Sequence, residues 1–349
     1  MAPARFLSHF DGILASIGPE PGGEVIGESR EGRPITAFGI GDGPLRINLV
    51  GGCHADEPVG PRLLWKLVQY LRSGPAAPLR EAARWSVIPH LNPDGAQANA
   101  GWQEPNAQAY DSVNYLSHRV RELPGDDIEF GFPRSGDDTE SRPENRAADA
   151  FWRDRGPFHL HVSLHGMGVA AGPYFLVERS WWPRFEPAAD VLAQLVEEKG
   201  YALHDVERHG EKGFHRLAKG FCSRPDSRPM RDHFLGLGDP EMAARFRPSS
   251  MEAVRAIGGD PLTLVTEMPL FLTPGVGAQL GPPDPHLMEW RARIAEWEER
   301  LRASESAAAE VDAVRMGMGE SGFTAMPVAD QMFFQWAFIC AGIGAADAA

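Results

Sequence analysis

The 349-residue chain carries 48 acidic against 34 basic side chains, a formal charge of −14, which disfavours nucleic acid and anionic membranes as partners. No apolar run reaches the roughly 20 residues that span a bilayer, and the opening stretch, MAPARFLSHFDGILASIGPEPGG, interrupts its apolar residues with His9 and Asp11, against a signal peptide. Three widely spaced cysteines, Cys53, Cys222 and Cys340, make neither a disulfide framework nor a zinc knuckle and fit a reducing cytoplasm.

In chain order, GRPITAFGI and RINLVGG read as strands, and VGPRLLWKLVQYLR, apolar at 59, 63, 64, 67, 68 and 71, as a helix. RWSVIPHLNPDG is a strand closed by a turn, and ENRAADAFWRDR a helix. FHLHVSLHG is a strand that alternates Leu160, Val162 and Leu164 with His159, His161, Ser163 and His165. GPYFLVE is a further strand, AADVLAQLVEEKG a helix stopped by glycine, and LTLVTEMPL a short buried strand. This alternation predicts an α/β fold with a mixed, mostly parallel sheet sandwiched by helices and ligands gathered beyond the carboxyl ends of its strands. Residues 96–143 and 205–260 are turn-rich and lack a sustained period, as long functional loops do. After Pro285, HLMEWRARIAEWEERLRA sets Leu287, Trp290, Ile294, Trp297 and Leu301 on one helical face. Residues 1–280 therefore read as one domain. Residues 281–349 read as a helical extension without a catalytic role, packing on the core or on a partner subunit in a homo-oligomer.

The stretch GGCHADEPVG places His54 and Glu57 where a strand gives way to a helix. A tight turn there lets both side chains reach one metal, and a catalytic zinc takes three protein ligands of the His₂Glu type. Alone, the pair reads equally as an acid in a helix's first turn beside an ordinary histidine. His165 closes its strand just before Gly166, where ligands gather, whereas His159 and His161 lie deeper and read as structural. Glu267 leaves the apolar run LTLVTEMPL, where a carboxylate is costly unless ion-paired, metal-bound or kept for proton transfer. Strand alternation aims Cys53 away from His54, as a small buried hydrophobe.

His-x-x-Glu after one strand, NPDG (Asn92–Gly95) after another, then SLHG and TEMP at two strand ends: this order resembles the M14 family of zinc carboxypeptidases, particularly its bacterial members. The resemblance covers residues 23–275 and begins with GESREGRPITAFGIG, similar to the family's opening hairpin. It implies a carboxypeptidase-like fold and a single Zn2+ ligated by His54, Glu57 and His165. It also implies Glu267 as general base on the zinc-activated water, and a peptide or small amide as substrate. In the family an aspartate two residues before an Asn-Arg pair orients the first histidine. DDIEFGFP puts Asp127 in that place.

The same stretch departs from the family. Glu129-Phe130 stands where the Asn-Arg pair grips a terminal carboxylate, and a glutamate repels that group while phenylalanine offers it no donor. The arginine that polarises the carbonyl has no match after NPDG, where Gln103 supplies one uncharged hydrogen bond. The late tyrosine is also missing, since His209, His215 and His233 occupy the region between Tyr201 and Glu267. Arg134, Arg142 and Arg146 are candidate substrate anchors. Two other readings stand beside the amide hydrolase. An N-acyl amino acid deacylase of the aspartoacylase or succinylglutamate desuccinylase type is disfavoured by NPDG, and a non-catalytic binding module by the retention of Glu267.

Overall fold

The computed structural model describes residues 2–18, 22–123, 125–278, 280, 284–303 and 308–347; residues 281–283, at the expected start of the extension, lie outside them. The strands are β1 (Glu24–Glu28), β2 (Pro34–Ile40), β3 (Leu45–Gly51), β4 (Ala83–Ile88), β5 (Leu160–Ala170), β6 (Tyr174–Val177), β7 (Arg216–Ala218), β8 (Phe221–Ser223) and β9 (Leu262–Leu272). They form one sheet in the order β1-β2-β4-β3-β5-β9-β6-β8-β7, with a short β10 (Thr324–Ala325) on β9. β4, β3, β5 and β9 run parallel in its centre. The pairs β1/β2, β2/β4, β6/β9 and β7/β8 are antiparallel.

Helices cover both faces because the central strands are buried on both. Leu160, Val162 and Leu164 of β5 join the larger core with Leu63, Leu64 and Leu67 of the helix Val59–Leu71. On the opposite face His161 meets Trp152 at 5.4 Å and Ser250 Oγ at 3.2 Å, from the helices Pro143–Arg155 and Ser250–Ala256. The alternation in HLHVSLHG is thus the division of β5 between two layers. β3 leads through the helix Val59–Leu71 to β4 on one side, while β5 flanks it on the other. The crevice at such a switch point opens above the carboxyl end of β3, where β5 runs on beyond it.

Two regions differ from the sequence reading. The turn-rich stretch 205–260 contains β7, β8 and the helices Ser227–Gly236, Pro240–Arg245 and Ser250–Ala256. The last begins with a reciprocal Ser249/Glu252 capping box, a short-range signal in SSME that periodicity alone overlooks. The helix Val328–Asp347 is buried almost all round and packs on β5 and β9, as a helix apolar on every side must. Phe338 lies 4.7 Å from Phe175 and 5.6 Å from Phe185, ring to ring. Gln335 Nε2 donates to His165 O and Thr266 Oγ1, both at 3.3 Å, so this helix steadies β5 and β9 where they pass the crevice. Both strands run on to Ala170 and Leu272, past the His165 and Glu267 that the sequence reading set at their ends. Trp290, Ile294, Trp297 and Leu301 are buried in the chain's own core, which uses up the stripe expected to face the core or a partner. Phe338→Ala is expected to cost about 3–5 kcal/mol, read as a lower urea midpoint at unchanged slope.

Candidate active site

β3 ends at Gly51, and the backbone of Gly52 turns at φ +67°, where a Cβ would sit 2.6 Å from the half-buried His90 ring. Only glycine makes that turn against that wall. The loop that follows is held at Ala55 from both sides: its N–H donates to Glu122 Oε2 at 3.1 Å, and its carbonyl accepts from Gln103 Nε2 at 2.8 Å. NPDG braces the arrangement from below. Asn92 Oδ1 accepts from Gly95 N at 3.0 Å while its amide donates to Glu122, and Asp94 accepts from Ser29 Oγ and Arg33 Nη1, each at 2.6 Å. The motif therefore shapes the loop and does not itself face a substrate.

His54 and Glu57 leave this loop, and His165 rises from β5. His54 Nδ1 is 2.8 Å from Glu57 Oε1, His165 Nδ1 is 2.9 Å from Glu57 Oε2, and the two Nδ1 atoms are 3.2 Å apart. Ligands of a tetrahedral zinc with bonds of about 2.0–2.1 Å stand about 3.3 Å from one another, so this donor triangle fits such an ion. The outer ring nitrogens also have partners. His54 Nε2 faces Asp127 Oδ1 at 3.1 Å; His165 Nε2 faces Ser163 Oγ at 2.9 Å and Glu129 Oε2 at 3.2 Å. Desolvation disfavours charge on both histidines, but Glu57, with Asp127 for His54, overrides it and raises both well above the ordinary imidazole value. The local field thus favours positive charge at the point where the donors converge.

Glu267 is the cross-strand neighbour of His165 in parallel β5/β9 and of Tyr174 in antiparallel β6/β9, so it rises on the same face as both. Burial, then the Glu57 charge, push its carboxyl up to about 8, against the pull of His165, His54 and Arg121. A divalent cation beside it acts in the opposite sense and favours its ionised form.

The other candidates sit as follows. Glu129 is not turned toward a substrate. It is 5 % exposed, faces His165, and accepts from Ser250 N and Oγ at 3.0 and 2.9 Å. Phe130 is half-buried and meets Phe246 edge-on at 5.6 Å. Arg142 is buried against Glu144 and donates to Asp126 O at 2.7 Å, and Arg134 donates to Ala244 O at 2.9 Å. Arg146 is committed to Thr139 O and Ser141 O. None of these arginines is a ready anchor, because each is spent on an irregular loop whose carbonyls need donors. His159 accepts from Arg46 N, and His161 binds Asn48 and Ser250, both structural roles. His209 pairs with Glu207 on the surface. Cys53 is buried, but the kink at Gly52 breaks strand alternation and sets its Sγ 3.9 Å from Ser163 Oγ, near His165.

Sequence reasoning overlooked Arg121. Its guanidinium is 3.9 Å from Asp56, more than half of the side chain is exposed, and its charge acts on Glu57 and Glu267. No motif marks it, since it arrives from an irregular segment after the helix Ser112–His118.

Residues 23–209, more than half of the chain, match the zinc carboxypeptidase family, peptidase family M14. The chain belongs to that family. It is 28% identical over 157 residues to mouse carboxypeptidase D, a match covering 42% of this chain and 10% of that protein. It is 30% identical over 156 residues to the inactive metallocarboxypeptidase ECM14 of Uncinocarpus reesii, covering 38% of this chain and 24% of that protein. The matched region thus spans a quarter or less of these relatives' length. Among solved structures, a metallo-carboxypeptidase from Burkholderia cenocepacia shares the fold over 99% of this chain and 69% of its own, with a TM-score of 0.50 at 14% identity. The zinc carboxypeptidase fold accounts for the mixed sheet and for the crevice above β3, β5 and β9. Among the described residues no helix is long and apolar enough to cross a membrane.

Proposed function

We propose that the chain is a zinc-dependent hydrolase of an amide or peptide bond, with the zinc held by His54, Glu57 and His165 and the proton carried by Glu267. The observation that carries this reading is the three-way convergence of donor atoms beside a carboxyl pushed up by burial. Bound there, zinc supplies Lewis acidity, making water nucleophilic at neutral pH and polarising a carbonyl. Glu267 takes the proton from the attacking water at its carboxylate and passes it to the leaving nitrogen. Asp127 and Glu57 hold the imidazole of His54 between them, so that its Nδ1 stays aimed inward.

Arg121 is our candidate for the group that meets the negative charge developing on the substrate oxygen. Among the described residues its guanidinium makes one ion pair, a long one of 3.9 Å to Asp56, so reaching a substrate breaks little. Arg121→Ala is expected to lower kcat by roughly 10²-fold with zinc content unchanged. An unaltered kcat assigns that charge to another donor.

Because Arg134 and Arg142 are engaged elsewhere, we expect no strict requirement for a free terminal carboxylate, and Phe130 favours an apolar or aromatic neighbour for the scissile bond. A binding module without catalysis is the second reading, favoured by that missing clamp and by likeness to a relative named inactive. Glu267 separates the two, since binding alone needs no base. Three buried free cysteines support a reducing compartment, and the net charge supports a peptide or small amide partner over nucleic acid or membrane. Comparing zinc-loaded wild type and zinc-loaded Glu267→Gln on amide substrates tests the reading.

A further inference from the structure

The segment Asp127-Ile128-Glu129 reaches both histidines of the donor triangle. Asp127 Oδ1 lies 3.1 Å from His54 Nε2 and also accepts from Glu129 N at 2.6 Å, which fixes the backbone between the two acids. Ile128 between them is fully buried in the second core, and the turn that starts there brings the two carboxylates to the outer nitrogens of the two imidazoles. Glu129 Oε2 then faces His165 Nε2 at 3.2 Å, and Ser163 Oγ, two residues before His165 on β5, donates to the same oxygen at 3.4 Å. The other oxygen, Oε1, is held by the backbone and hydroxyl of Ser250. Every atom of this carboxylate has a partner. It sits beneath His165, against Nε2 and so on the side of the ring away from the Nδ1 that joins the donor triangle.

We propose that Glu129 is a positioning residue for His165, matching what Asp127 does for His54, so that one three-residue segment orients both imidazoles. The inference rests on the reading of His54, Glu57 and His165 as metal ligands. An imidazole that coordinates through Nδ1 carries its proton on Nε2, and a fixed carboxylate there sets ring orientation and raises the basicity of the coordinating nitrogen. A buried glutamate in this place otherwise costs stability, and the Ser250 donors exist to hold it. Cys53, Glu129 and His165 also converge closely enough to suggest a cation of their own. Ser163 Oγ already stands between them, 2.9 Å from His165 Nε2 and 3.9 Å from Cys53 Sγ, and burial raises the Cys53 thiol away from its thiolate form.

The test is zinc affinity by chelator competition, with stoichiometry, for wild type, Glu129→Gln and His54→Ala, together with the melting temperature of each metal-free protein. Glutamine keeps the shape but has a single acceptor oxygen for two sets of donors. Expected are one zinc per wild-type chain and a roughly 10–100-fold weaker Kd in Glu129→Gln, whose metal-free form still folds cooperatively at a lower melting temperature because one donor set loses its acceptor. A Glu129→Gln Kd within twofold of wild type overturns the proposal while leaving the metal site intact. A second equivalent of zinc, lost in Glu129→Gln, overturns it by making Glu129 a ligand. Wild type that binds no tighter than His54→Ala overturns the metal reading and this inference with it. If Glu129→Gln does not fold, Glu129→Asp decides, because it keeps the charge but withdraws the carboxylate from His165 Nε2, and a zinc Kd within twofold of wild type then contradicts the proposal.

Discussion

Replacing His165 with alanine is expected to leave the purified chain without bound zinc and with amide turnover at background. Loss of an outer partner of a metal-bound histidine already weakens metal binding roughly 10–100-fold, and loss of the histidine itself removes one of three ligands. The same change strips Glu57 and Glu129, both buried, of the imidazole that faces each of them. An unpaired buried charge costs about 3–5 kcal/mol, so the variant is also expected to unfold at lower denaturant. His54→Ala is the cleaner companion, since its side chain is partly exposed and its loss costs less stability. Zinc measured by mass spectrometry after dialysis checks both variants. Stoichiometric zinc in the two of them locates the metal elsewhere.

Glu267→Gln is expected to retain zinc and lose turnover by roughly 10²–10⁴-fold, the range for removing a general base. Glutamine keeps the volume midway along β9 and its place beside His165 and Tyr174 but takes no proton. A fall in kcat with little change in KM marks an interaction made in the transition state. Turnover near wild type removes Glu267 from proton transfer.

The residues most legible in the sequence were those that follow apolar runs in buried strands. His165 and Glu267 each come after such a run, but the strands do not stop there: both residues lie mid-strand, opposite one another in parallel β5 and β9. His54 and Glu57 were legible because their spacing and the preceding glycines specify a turn. What stayed hidden lies in irregular backbone, where no period maps residues to a face. Glu129 was expected to meet the substrate; Ile128 packs inward and rotates it beneath His165. Arg134 and Arg142 carry the right charge, yet neighbouring carbonyls and Glu144 claim them. Arg121 had no motif, and only the folded loop brings it near Asp56. Gln335 was out of reach for another reason: its contact with His165 O joins residues 170 apart, which local pattern does not encode.

The most direct test of amide hydrolysis by this site is mass spectrometry of product amines from a panel of peptides, amidated peptides and N-acyl amino acids, incubated with the zinc-loaded wild-type chain. Cleavage of at least one amide bond, abolished by chelation and restored by added zinc, is the expected result. Intact substrates across the panel, from a protein that carries its zinc, would contradict hydrolysis and leave a site that binds without reacting.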